Sequence, residues 1–331
     1  MKSTFSLIFI IVLACFIGIY NLVIFWPQDI GLESFKVQIP KGATLDEISH
    51  ILKDNKVINN EKMFVIAATI LGHSKDIPAG IFSLTEVKSN LNIIKQLAHN
   101  SANIKKVTIL EGWTITDVVE HLAKRIQISE NRLLTLCTDI QFVKKLNLPA
   151  PSLEGYLFPD TYYFFEGEEP ETVVNTLVDH IRMFISDSLK QRSDELGLTE
   201  LELITLASII EGEAMYDSER PIISAVYHNR LSMGMKLQAD PTIQYIIDDG
   251  PRRLWSSDLQ IESPYNTYLN DGLPPGPINN PGKASILAAL YPADNDYLYF
   301  VAKGDGYHFF SKTSEEHNRA KLRFKQQRKN S

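Results

Sequence analysis

Cysteine is scarce: only Cys15 and Cys137 occur in the 331 residues. Cys15 lies inside a long apolar run, so Cys137 has no second thiol in the rest of the chain, and a disulfide-stapled scaffold is excluded. Cys137, within the apolar helical pattern LLTLCTD, reads as a small core residue. A basic excess is lacking too. The net charge is −7 and the pI is near 5.7, which argues against a nucleic-acid partner, because displacing the counterions around phosphates needs a basic face. The final run, RAKLRFKQQRKNS, reads as a solvated helix end and tail. The histidines form no HxxxH or Cys/His cluster, so a metal site has no support. What is present, 44% hydrophobic and 22% charged residues, is ordinary globular material, long enough for about two or three domains.

One segment leaves that range. Residues 5–26, FSLIFIIVLACFIGIYNLVIFW, carry no charge, and as a helix they would cover about 33 Å, enough for a bilayer core. The run is longer than the roughly 7–15 apolar residues of a signal peptide, and no small-residue cleavage site follows it. An uncleaved transmembrane anchor is expected. Lys2 precedes the run while Asp29 and Glu33 follow it. That asymmetry predicts a single-pass protein of the plasma (inner) membrane, its short end cytoplasmic and the rest of the chain on the outer side.

Two stretches repeat at an offset of 70: VQIPKGATLDEISHIL (37–52) and VTILEGWTITDVVEHL (107–122). Each alternates apolar residues, turns at a glycine, and offers a threonine (Thr44, Thr114) with an acid three residues on (Glu47, Asp117). That is a short strand feeding a capped helix. The first copy resembles LysM modules, strand-helix units associated with N-acetylated glycans; a spacer role is the bland alternative. Further helices are expected over NEKMFVIAATILG and SNLNIIKQLAHN, and a strand over AGIFSL. The prolines of LNLPAPS mark a boundary near residue 150.

Beyond it, the pattern predicts one long amphipathic helix over about 170–196, stopped by Gly197. A second helix is capped by Thr199 and Glu202, and a third by Ser218. A loop dense in Pro, Gly and Asn follows, SPYNTYLNDGLPPGPINNPG, of a length more often functional than idle. The stretch YLYFVAKGDGYHFF reads as a hairpin.

On the Thr199 helix, Leu203, Leu206, Ala207 and Ile210 form an inward stripe with Glu211 at its edge, while Glu213 points about 200° away around the axis. Only one acid can face a given cleft. Partial desolvation of Glu211 would favour its neutral form, as a general acid needs; the plain alternative is the wet end of an amphipathic helix.

The strings LEGYLFPDTYYF, LASIIEGEA, SERPIISAVYHNRL, GMKLQADPTIQY, SPYNTYLNDGLPPGPINNPG, ASILAALYPA and YLYFVAKGDGYHFF resemble, in the same order, those of the YceG-like family, the endolytic murein transglycosylases known as MltG. The resemblance implies that Glu211 is the catalytic acid. Gly212 stands where that pattern leads us to expect lysine, marking either a helix end or a close approach of the glycan to the backbone. It also implies cleavage of the MurNAc-GlcNAc β-1,4 bond without water and without a cofactor, giving 1,6-anhydroMurNAc ends. Glu211 would protonate the leaving oxygen and then take the proton of the muramic 6-hydroxyl as that oxygen attacks C1. With the nucleophile in the substrate, a second enzyme carboxylate is not obligatory. Peptidoglycan strands are the implied partner, with synthases beside them whose nascent strands the enzyme would terminate. Gln238, Asp240, Tyr265 and Asn266 lie in the matched strings and suit sugar hydroxyls and acetamides; Tyr265 can equally pack and Asp240 organise a turn. Glu154 is a second acid able to line the groove, and Glu219 is expected to stabilise a helix N-terminus. A water-using muramidase and a non-catalytic glycan-binding scaffold are the alternatives.

The expected fold is α+β: an anchor (1–28), LysM-like strand-helix modules (29–150) and a mixed helical and short-strand catalytic domain (151–331).

Overall fold

The computed structural model describes residues 2–28, 35–84, 87–99 and 104–330. It divides into two units, Met1–Lys106 with Tyr163–Glu168, and Val107–Tyr162 with Glu169–Ser331.

The first unit contains α1 (Lys2–Ile24), β1 (Phe35–Ile39), α2 (Leu45–Asp54), α3 (Glu61–Ile70), β2 (Gly80–Leu84) and α4 (Asn90–His99). Alternation in β1 buries Val37 and Ile39. The strand pairs antiparallel with β2, Val37 opposite Phe82 and Ile39 opposite Gly80. Thr44 and Glu47 form the expected capping box on α2. Its inward residues Ile48 and Leu52 meet Phe64 of α3 and Ile94 of α4 in one apolar core, which Val23 and Ile24 of α1 complete. The amide of Asn90 donates to the carbonyl of Val23 at 3.0 Å, pinning the end of α1 to α4.

That packing bears on the expected membrane span, which is corrected. Among the described residues no helix is long and apolar enough to cross a membrane. The described side chains of α1 begin at Ile11. At its end Val23 and Ile24 are buried against protein, while Leu22 beside them is 55% exposed. The earlier part of the expected span lies outside the described side chains. The single-pass topology, the outer-side placement and the membrane as a partner are withdrawn with the anchor.

The second unit begins within β3 (Ile104–Thr108), followed by α5 (Ile115–Ile126), α6 (Glu130–Thr138), α7 (Ile140–Lys145), β4 (Thr161–Phe165), α8 (Pro170–Phe184), α9 (Asp187–Glu195), α10 (Glu200–Glu213), α11 (Arg220–Ser232), α12 (Asp240–Ile246), α13 (Lys283–Leu290), β5 (Tyr299–Ala302), β6 (His308–Ser311) and α14 (Ser314–Asn330). Thr114 and Asp117 box the start of α5, and Thr199 and Glu202 that of α10, as their spacing predicts. β5 and β6 form the expected hairpin, Tyr299 opposite Ser311. Cys137 is fully buried, and burial pushes its thiol up to about 12.

Three expectations fail here for local reasons. The LysM-like modules are withdrawn. The strand of the first copy, β1, pairs with β2, whereas that of the second, β3, pairs with β4 from beyond Pro151, and its helix α5 belongs to the other unit. Threonine caps and glycine turns fix each helix start but not the distant strand each copy pairs with, so the repeat builds no matching modules. The mixed α/β character holds. The long helix over 170–196 is two helices, because Ile185 leaves helical geometry (ψ 76) before Ser186. Ser218 lies in a 3-10 turn, Asp217–Glu219, and α11 opens at Arg220 with Pro221 in its first turn.

α10 occupies the middle of this unit, packed by α9, α11, α12 and α13. Every residue from Leu203 to Ile210 is buried, so the expected one-sided stripe is corrected to a helix enclosed all round.

Candidate active site

Glu211 follows directly on that enclosed run, and its side chain is 7% exposed. One carboxylate oxygen, Oε2, accepts the N–H of Gly282 at 2.9 Å; the other, Oε1, lies 3.1 Å from Nη2 of Arg220, itself 7% exposed. Arg220 is held in turn: its Nε donates to Asp217 at 2.9 Å, and its Nη1 donates to the Ser285 hydroxyl of α13. A buried carboxylate needs such charge-assisted partners to persist. The wet-edge reading therefore fails.

The end of the proline-rich loop fastens this acid to its surroundings. Ile278 N–H donates to the Ser208 hydroxyl at 3.0 Å, and the Asn279 amide donates to the Ser208 carbonyl at 2.9 Å, so the loop clasps α10 one turn before Glu211. Asn280 reaches the other way. Its N–H and its side-chain amide both donate to the Trp113 carbonyl, its own carbonyl accepts from Gly112 N–H at 2.9 Å, and its Oδ1 accepts from Leu157 N–H at 2.8 Å.

This clasp brings a residue to the site that sequence reasoning missed. Glu111 sits in the turn that Asn280 holds, and its carboxyl packs against Gly282: a Cβ there would lie 1.9 Å from Glu111 Oε1. A Cβ on Gly112 would lie 3.6 Å from Glu211 Cγ. The two acids thus converge on Gly282. Burial, then the neighbouring Glu211, push the Glu111 carboxyl above its ordinary value. A groove of about 470 Å³ opens beside it, lined by Thr108, Leu110, Glu111, Asp160, Thr161 and Lys283. The signal was available in the repeat, where Glu111 stands opposite Lys41 in two otherwise matching turns.

Residues 37–323 match the model of the YceG-like family. The chain belongs to the YceG-like family. It is 34% identical over 304 residues to the endolytic murein transglycosylase of Bacillus subtilis (strain 168), covering 87% of this chain and 84% of that one. It is 26% identical over 318 residues to the endolytic murein transglycosylase of Streptococcus pneumoniae serotype 2, covering 86% of this chain and 57% of that protein's length. The solved structure of a yceG-like protein from Listeria monocytogenes aligns with TM-score 0.60 and 33% identity, over 87% of this chain and 99% of that one. The family model, these relatives and the solved structure agree on the YceG-like (MltG) family.

The departure at Gly212 has a steric cause. α10 continues through Glu213, and a Cβ at position 212 would lie 2.7 Å from Pro241 Cβ. The close approach is made by α12. Glu213 faces away from Glu211 as its spacing predicts: Tyr227 OH donates to it at 2.8 Å, and burial raises it to about 7.

Each of the remaining residues singled out in the sequence has contacts of its own. Gln238 is exposed, in left-handed backbone (φ 48), with its N–H donating to the Thr267 carbonyl at 3.1 Å. Asp240, at the start of α12, accepts from Tyr268 OH at 2.5 Å. Tyr265 packs its ring 5.1 Å from that of Tyr245. Asn266 is fully buried, its amide donating to the Leu259 and Ile261 carbonyls and its Oδ1 accepting from Tyr268 N–H, so it organises its own loop. Glu154 is buried rather than groove-lining. It accepts from Ile115 N–H at 3.0 Å and from the Asn280 amide at 3.2 Å, and burial pushes it up to about 8. Glu219 accepts from the backbone and ring of His308 at 3.0 and 2.8 Å, which ties the β5–β6 hairpin to the start of α11.

Proposed function

We propose that this protein is a lytic transglycosylase that cleaves the MurNAc-GlcNAc β-1,4 bond within peptidoglycan strands and leaves 1,6-anhydroMurNAc ends. The observation that carries the reading is Glu211: an enclosed carboxyl, fixed by Arg220 and Gly282 N–H, in a chain of the same family as proteins named for this activity. The second unit carries the chemistry. It takes in the expected catalytic region and adds the Glu111 turn.

Protonated Glu211 donates to the bridging oxygen as the C1–O bond breaks and oxocarbenium character develops at C1. The resulting carboxylate takes the proton of the muramic 6-hydroxyl while O6 bonds to C1, which regenerates the acid. Arg220 and Gly282 N–H hold the carboxyl through both half-steps and stabilise the charge it carries between them. Gln238, Tyr265 and Asp240 supply polar groups for sugar hydroxyls and acetamides, while Asn266 and Glu154 support the loops that carry the site.

The test is product analysis on un-nicked peptidoglycan. Wild type releases fragments with anhydro ends, and Glu211→Gln loses about 10²–10⁴-fold of the rate. Unchanged anhydro product in the variant would falsify the assignment. A second reading, a water-using muramidase, gains from Glu111, because a partner acid is the part such an enzyme requires. Reducing ends in place of anhydro ends select it.

A further inference from the structure

We propose that Glu111 is a positioning residue of this centre, a second carboxyl that shares one proton with Glu211 until the glycosidic oxygen takes it. The inference rests on the transglycosylase reading above and specifies how its acid stays loaded. The geometry is that of two carboxyls around one glycine. Gly282 gives its N–H to Glu211, while the Glu111 carboxyl lies against the same residue, where any side chain would collide with it. The glycine is therefore what admits Glu111 to the centre. Asn280 fixes the approach from the other side, because its carbonyl accepts from Gly112 and its N–H donates to the Trp113 carbonyl.

The charges around the pair are unequal. Arg220 pairs with Glu211, with Asp217 beyond it on the same guanidinium. Lys283, the cation next to Glu111, is paired with Asp160 at 3.2 Å and is half exposed. A guanidinium beside a pair of carboxyls favours loss of the proton the reaction needs. A second carboxyl alongside opposes that, because two neighbouring acids resist ionising together, and the pair retains one proton over a wider pH range than either acid alone. Burial first and the neighbouring Glu211 second push the Glu111 carboxyl above its ordinary value, in keeping with that repulsion. The cycle balances. The pair's proton goes to the leaving oxygen as C1–O breaks, and the 6-hydroxyl proton returns to the pair as C1–O6 forms.

The test is a carboxyl ¹³C titration of glutamate-labelled full-length protein, read together with the pH profile of kcat/KM. In Glu111→Gln, the Glu211 midpoint falls by about one pH unit, and the alkaline limb of the activity profile moves to lower pH by the same amount. Glu111→Asp recovers part of the shift. Gly282→Ala, whose methyl displaces the Glu111 carboxyl without changing its chemistry, shifts the midpoint in the same direction if Glu111→Gln fails to fold. A Glu211 midpoint that stays put in these variants overturns the proposal, whatever the product. Complete loss of activity at every pH with an unmoved midpoint also overturns it, making Glu111 a reacting group of the muramidase kind. The titration reads the coupling without substrate, so wild type lacking anhydro product would sink the function reading separately.

Discussion

Arg220 shows how much of this site depends on one residue. It is nearly enclosed and touches Glu211, Asp217 and Ser285. Arg220→Met would leave a buried carboxylate without its counter-charge, a loss of about 3–5 kcal/mol when a buried pair is broken. The expected outcome is a large fall in denaturation midpoint; a midpoint equal to that of wild type would refute the ion-pair account. Sequence placed Glu211 correctly at the end of an apolar helix, because spacing along a helix is local. It missed Glu111 because that turn meets Glu211 only through a loop some 170 residues on, held by the Asn280 hydrogen bonds.

At the scale of elements, α10 and the loop ending at Gly282 behave as one clamp. Gly212→Ala gains helix propensity of about 1 kcal/mol, but its methyl meets the Pro241 ring, which is rigid and belongs to the first turn of α12. Overpacking of this kind costs about 1–3 kcal/mol, so the variant is expected to melt below wild type and to lose activity as Glu211 shifts. Calorimetry alongside the product assay checks both. Asn280→Ala removes the side-chain bonds to the Trp113 carbonyl, to Glu154 and from Leu157 N–H, and each stranded buried group costs about 1–3 kcal/mol. Its expected signature is faster hydrogen exchange at Leu157, along with lower stability. Helix starts at Thr44, Thr114 and Thr199 were legible because a cap is a contact over three residues. The break at Ile185 was not, because both halves share one amphipathic period and only the packing interrupts it.

For the whole molecule, the second unit encloses acids whose burial sets its pH response. Burial raises Glu154 to about 8 and Glu213 to about 7, from an ordinary 4.5. A carboxyl whose folded value lies above its unfolded one binds more protons in the fold, so its stabilising contribution is complete below about pH 4.5. That contribution is lost as pH rises toward 7 and 8. Stability is therefore expected to decline from pH 5 to pH 8, and Glu213→Gln, which keeps an acceptor for Tyr227 OH, should flatten that slope; a wild-type melting temperature that rises over the interval would contradict it. The sequence by itself determined the mixed helical and strand content, the capped helix starts, the helix that carries Glu211 and the family, since all of these reside in local spacing or contiguous strings. It could not determine what becomes of the first apolar helix or of the repeated unit. Whether apolar residues face lipid or a protein core, and which strand a strand pairs with, depends on chain segments distant in sequence, and the tertiary structure alone buried Val23 and Ile24, paired β3 with β4 and brought Glu111 to Glu211.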